Sequence, residues 1–147
     1  MKTIYVAIIN RLKEQVPALR WIDLDVGQVD TPVRASVAWP AALIGIEMTQ
    51  ARNYTETHQT CVVRIPVNLC FNNTPDRTSA NAPDEARERS LRIYDTIAEV
   101  YKALQGFETE NFNTLHRVSQ GKIARNDGMF LYRITFECEF EDITAEQ

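Results

Sequence analysis

The sequence predicts an α+β fold: an antiparallel β-sheet with two helices packed on one face, in the order α-β-β-β-α-β-β. Phe130, Tyr132, Ile134, Phe136, Cys138 and Phe140 recur at every second position, against the increasingly polar Leu131, Arg133, Thr135, Glu137 and Glu139. Period two with aromatic and β-branched residues on one side is a half-buried strand. Val63, Ile65, Val67, Leu69 and Phe71 repeat the pattern, and a stretch of helical period separates the two.

The elements follow in order. Ile4, Ile8 and Leu12 stand four apart, with Tyr5, Ile9 and Val16 on the adjoining row, which is an amphipathic helix ending before Pro17. Trp21–Asp25 alternates and predicts a short strand. Residues 26–41, with Gly27, Pro32 and Pro40, have no period and read as a flexible loop. Leu43–Met48 resumes strand character, and Gly45 within it signals a bulge or a close backbone approach. The polar stretch Thr49–Gln59 forms the tip of a long hairpin whose second arm is Thr60–Phe71. Pro66 cannot donate to a ladder, so it predicts that this arm lies at a sheet edge or bulges there.

Residues 72–82, rich in Asn, Ser and Thr, read as a second flexible loop. A single long helix follows, capped by Asn81 or a neighbour, with Pro83, Asp84 and Glu85 in its first turn. Leu91, Tyr94, Ile97, Ala98, Tyr101 and Leu104 form its apolar stripe, and Gly106 stops it. The last hairpin runs from about Leu115 to Arg125, turns at Asn126-Asp127-Gly128 and returns along Met129–Asp142. A three-residue turn sets Arg117 opposite Glu137 and Val118 opposite Phe136, while other loop lengths give other registers. Residues 143–147 read as a frayed terminus, and the whole chain, 1–147, as one domain.

Composition narrows the function. Apolar residues make up 44% and charged residues 24%, an ordinary globular mix. The 16 basic and 20 acidic side chains leave a formal charge of -4, which argues against a general nucleic-acid binder. The longest apolar run, Trp39–Ile46, is far short of the roughly 20 residues a membrane span needs. The start is expected not to act as a secretory leader, because Asn10, Arg11, Lys13 and Glu14 interrupt its apolar stretch. Cys61, Cys70 and Cys138 are odd in number and scattered over strand-like segments, as buried thiols in a reducing compartment would be.

No catalytic, cofactor or metal constellation stands out. The only two histidines, His58 and His116, offer no triad or zinc set, and the five isolated glycines form no phosphate loop. Arg87, Arg89 and Arg92 are interleaved with Glu85 and Glu88, which describes a solvated helix face. The acidic row Glu137, Glu139 and Glu141 admits two readings. It is either a solvated face neutralised across the hairpin by Arg117 or Lys122, or a negative surface that meets a basic neighbour or lines a passage. The hairpin tip, with Arg52, Tyr54 and His58, has the form of an arm by which subunits reach neighbours. These seven, Arg52, Tyr54, His58, Arg117, Glu137, Glu139 and Glu141, are the candidate interface residues.

Several segments together carry a family resemblance. They are the opening helix Ile4–Val16, the strand entry Trp39-Pro40-Ala41-Ala42-Leu43-Ile44, and the strand Val62-Val63-Arg64-Ile65-Pro66-Val67. The helix from Arg89 to Leu104 and the strand Tyr132-Arg133-Ile134-Thr135-Phe136 complete the set. Over roughly residues 2–141 the chain resembles the tail-terminator or tail-completion (head–tail joining) proteins of long-tailed bacteriophages and prophages. The resemblance implies a non-enzymatic subunit of the virion tail or neck that forms a ring, commonly a hexamer, which ends the tail tube and joins it to the head. It further implies assembly in the bacterial host cytoplasm and partners among copies of itself, tail-tube proteins and head-completion proteins. DNA at most passes through such a ring, with no cofactor and no membrane contact. The competing reading is a ferredoxin-like ligand-binding or regulatory module acting as monomer or dimer. A small enzyme using the acidic row ranks last, because no base or nucleophile stands beside it.

Overall fold

The computed structural model describes residues 1–31 and 37–146. Positions 32–36, which include Pro32 of the predicted 26–41 loop, and Gln147 of the predicted frayed terminus lie outside the described residues. Helix α1 (Lys2–Gln15) buries Ile4, Ile8 and Leu12, the row read from the sequence. It ends where Pro17 pushes Val16 out of the helical region, to φ −126 and ψ 74.

Six strands form one sheet: β1 (Trp21–Leu24), β2 (Ala41–Ile44), β3 (Glu47–Asn53), β4 (Gln59–Phe71), β5 (His116–Ile123) and β6 (Phe130–Asp142). Their order is β1-β2-β4-β6-β5, with β3 also beside β4. Long β4 runs the height of the sheet. Its C-terminal half pairs with β2, its N-terminal half with β3, and its other side along the whole length with β6. All pairs are antiparallel except β1 with β2, which run parallel from Trp21↔Ala41 to Leu24↔Ile44. The connection over residues 25–40 is long enough for the crossover that a parallel pair requires.

The predicted strand at 43–48 is two strands, β2 and β3, and β3 continues to Asn53 through residues read as hairpin tip. Gly45 sits at the break between them. Its N–H donates to the Pro66 carbonyl at 2.9 Å, and a Cβ at Gly45 would stand 3.0 Å from Pro66 Cγ. This contact corrects the expectation that Pro66 marks a sheet edge or a bulge. β4 is central, and N–H and C=O of one strand residue point to the same side. The missing N–H of Pro66 therefore faces the break between β2 and β3, where no ladder bond is lost.

The predicted long helix is also two, α2 (Asp84–Ser90) and α3 (Arg92–Leu104), broken at Leu91 with φ −89 and ψ 1. The N-cap position of α2 is Pro83 rather than Asn81. Arg87 organises the approach, donating to the carbonyls of Ser79, Ala80 and Ala82 and to the Asp84 carboxylate. The buried stripe of α3 is Ile97, Val100, Ala103 and Leu104, rotated from the predicted one, with Tyr94 and Ala98 exposed. A short 3₁₀ turn, Thr144–Glu146, closes the chain.

Helices α1 and α3 cover one sheet face. Their apolar rows meet Val63, Ile65, Val67 and Leu69 of β4 and Ile134, Phe136 and Cys138 of β6 in the main core. On the opposite face a smaller cluster of Val29, Ala41, Leu43, Cys70, Met129 and Leu131 lies at the β1 end. No helix packs on the rest of that face; Asn68 and Thr135 are still buried there, and it opens to solvent from Arg64 towards Glu139 and Glu141.

Candidate functional site

The uncovered face is built by the pleat. Alternation along β6 puts Arg133, Thr135, Glu137, Glu139 and Glu141 on it, and the β4 register sets Asn68, Pro66, Arg64, Val62 and Thr60 opposite them. Arg64 donates to Glu137 Oε2 from Nη2 at 3.1 Å and from Nε at 3.3 Å. Glu141 meets His58 Nε2 at 2.7 Å and accepts from Thr60 Oγ1 at 3.1 Å. Nearer β1, Arg133 donates to Asn68, which donates to Asp25, in a chain of 2.7 and 2.8 Å. Of the acidic row, the Glu139 carboxylate alone has no partner among the described residues.

The candidate residues fall into two groups. Tyr54, His58 and Glu141 come together at the end of the β3–β4 hairpin, with the Tyr54 and His58 rings 5.1 Å apart and Tyr54 76% exposed. Glu137 and Glu139 continue along β6, and Arg52 is exposed on β3. Arg117 is not among them. The register places His116 opposite Glu137 and Arg117 opposite Phe136, with a bulge between Arg117 and Ser119, so the three-residue-turn register is not adopted. The Arg117 guanidinium lies 3.8 Å over the Tyr101 ring and bonds Gln120. Lys122 sits over Phe130 at 5.7 Å. The side-chain partners of the acidic row are thus Arg64, His58 and Thr60, none of them on β5.

Sequence reasoning missed Arg64 because its partner is remote in the chain. It also missed Arg125, which donates to Asp30 at 2.7 Å, Asp127 at 2.6 Å and the Val29 carbonyl at 2.6 Å. This fork fastens Val29 and Asp30 to the β5–β6 hairpin, over the smaller apolar cluster. The Arg125 hydrogen bond holds the Asp127 carboxyl down to about 2.

Chemistry finds little purchase here. Burial pushes the Cys70 thiol up to about 12 and Cys138 up to about 11, and a thiol held protonated is a poor nucleophile. Among the described residues no group of three His, Cys, Asp or Glu side chains could hold a metal ion. No helix among the described residues is long and apolar enough to cross a membrane.

The sheet borders are different. All seven residues of β3 are exposed, and β5 is exposed from His116 to Gln120. These are open strand edges on opposite sides of one sheet, a geometry suited to contact with other chains.

Comparison with known proteins agrees with an assembly role. A family model described as phage tail terminator protein matches residues 5–144. No curated protein matches the chain. Among solved structures, a chain from the virion of a native gene transfer agent particle superposes with a TM-score of 0.54 at 9% identity, covering 94% of each chain. That likeness concerns the fold.

Proposed function

The chain belongs to the phage tail terminator family, and from that premise we propose that copies of it form a ring that ends the tail tube and joins it to the head. Its role in the tail is structural. The reading gives it no catalytic task and places it in the virion tail or neck, after assembly in the bacterial host cytoplasm. Its partners would be copies of itself, tail-tube subunits and head-completion proteins.

The observation that carries the ring is the open sheet with a free edge on each border. Two different surfaces on one subunit generate head-to-tail contacts, and such contacts close into rings when the rotation allows. A sheet closed into a barrel would offer no such edges. The formal charge of -4 is compatible with DNA passing through without being held.

The test is light scattering on the eluting protein, together with electron microscopy of tail-tube subunits polymerised with and without it. A ring of fixed mass and tubes capped at one end are expected. A strict monomer at high concentration that leaves tube growth unchanged would overturn the proposal.

A further inference from the structure

We propose that the seam between copies is a continuation of the β-sheet, in which β3 of one subunit pairs with the free edge of β5 in the next. This inference rests on the ring reading above and names the surfaces that make it.

β3 is energetically odd. A strand normally earns its place by burying one face, yet all seven residues of Glu47–Asn53 are exposed and only β4 holds it. Such a strand gains ladder hydrogen bonds and little else, which is marginal support in water. Its outward N–H and C=O groups have no partner among the described residues. An edge of this kind is a template for another strand.

Counting satisfied backbone groups distinguishes the remaining edges. β1 is short, and its end is already blunted. The Leu24 N–H is taken by the Asp23 carboxylate at 2.8 Å, and the Leu24 carbonyl by the Gln28 amide at 2.8 Å. The outer side of β6 near Glu139 is covered by Asn113, which bonds both backbone groups of that residue. On β5, Gln105 takes the Arg117 N–H, and from Ser119 to Ile123 nothing among the described residues covers the outer edge. Two long free edges remain, β3 and β5, on opposite borders.

They are compatible. Strand β5 carries His116, Arg117 and Lys122 and no carboxylate. β3 is itself balanced, with Glu47 and Arg52, while Glu56, Glu141 and Glu146 lie around His58 at the hairpin tip. Each edge also shows one exposed large apolar side chain at its bulge, Met48 at 38% and Val118 at 45%. Strand direction agrees as well. β3 and β6 both run antiparallel to β4, and β5 runs antiparallel to β6, so a continued sheet sets β5 antiparallel to the next β3. β3 flanks residues 59–64 of β4, whereas β5 flanks residues 131–137 of β6. The seam therefore displaces each copy along the strands, the same stagger that inclines strands in closed barrels.

The test is site-directed cross-linking of the full chain. Gln50→Cys on β3 and Ser119→Cys on β5 lie on the uncovered face, where adjacent strands are about 4.8 Å apart. The native thiols are buried, so a short bis-maleimide reaches the introduced ones. A covalent dimer is expected in the mixture of the two variants and not in either alone. In parallel, Met48→Asp and Val118→Asp should each raise the concentration for half-assembly about tenfold or more, with thermal stability retained because both side chains are exposed. Rings that form without the mixed cross-link, or that tolerate both Asp variants, refute the seam and leave the ring standing. A dimer from Gln50→Cys alone shows a two-fold β3–β3 contact and also refutes it. A monomer under all conditions refutes the seam and the ring together.

Discussion

Replacing Arg125 with Met should cost the protein about 2 kcal/mol. The side chain is 13% exposed, and Met keeps most of its buried stem while removing the guanidinium. Breaking a fully buried ion pair costs about 3–5 kcal/mol. That bound does not apply, because Asp30 and Asp127 are 66% and 37% exposed and water takes over their solvation. A surface pair contributes about 0–1 kcal/mol. The hydrogen bond to the half-buried Val29 carbonyl adds about 1 kcal/mol, since that oxygen loses a charged donor. For a domain of this size, about 2 kcal/mol lowers Tm by roughly 4–8 °C, measurable by circular dichroism. The pH dependence is a second signature. The Asp127 carboxyl is held at about 2 in the folded chain by the Arg125 hydrogen bond, against about 3.9 when unfolded. A lowered folded pKa stabilises above the unfolded value and fades as pH falls towards the folded one. The gap between wild type and Arg125→Met should be constant from pH 7 to 5 and should shrink between about pH 4 and 2. Equal Tm values at pH 7, or a gap indifferent to acid, would refute this account of the clasp.

Other substitutions probe separate parts of the fold. Gly45→Ala should lose about 1–3 kcal/mol because its Cβ would stand 3.0 Å from Pro66 Cγ. Adding Pro66→Ala should recover part of that loss, read as a positive coupling in a denaturant double-mutant cycle. Leu104→Ala should cost about 2–5 kcal/mol as a core residue in either stripe, whereas Ala98→Ser should stay within about 0.5 kcal/mol, and it is this second value that checks the rotation of α3 by urea unfolding. His58→Ala and Glu141→Gln should each change stability by about 1 kcal/mol or less, because water reaches the pair through the exposed Glu141 carboxylate, and a drop in Tm of many degrees in either would contradict that.

The parts legible in the sequence are those where burial is one-sided and local. Ile4, Ile8 and Leu12 announced α1, and the alternation in β4 and β6 announced the two long central strands. β3 left no such trace because it buries nothing, so its residues looked like hairpin tip. The break at Leu91 has neither Pro nor Gly to mark it, and continuous helical period hid it. Pro66 misled through a sound rule, since its missing N–H is harmless wherever the neighbouring strand is interrupted. The β5–β6 register turned on a bulge between Arg117 and Ser119, which loop length alone does not specify. Among the candidate residues, Tyr54, His58 and Glu141 proved to be neighbours. Arg64, the true partner of Glu137, lies 73 positions away in the chain, a pairing that only the β4–β6 register creates.

That pairing shifts the weight of the assembly problem. Three carboxylates on one strand face would repel one another and call for a basic partner from outside. Here Glu137 is met by Arg64, and Glu141 by His58 and Thr60, within the same subunit. Arg133, Asn68 and Asp25 satisfy one another further along the face. A face where two of the three carboxylates already have partners gains little electrostatic energy from covering, and exposed pairs add little of their own. Glu139, left without a partner, is one solvated carboxylate rather than the centre of a negative surface. The unmet demand in this molecule is backbone hydrogen bonding along β3 and the outer half of β5. Neutralising Glu137 and Glu139 together should therefore leave self-assembly close to wild type while the edge substitutions weaken it about tenfold or more, and the reverse ranking would return the acidic face to the interface.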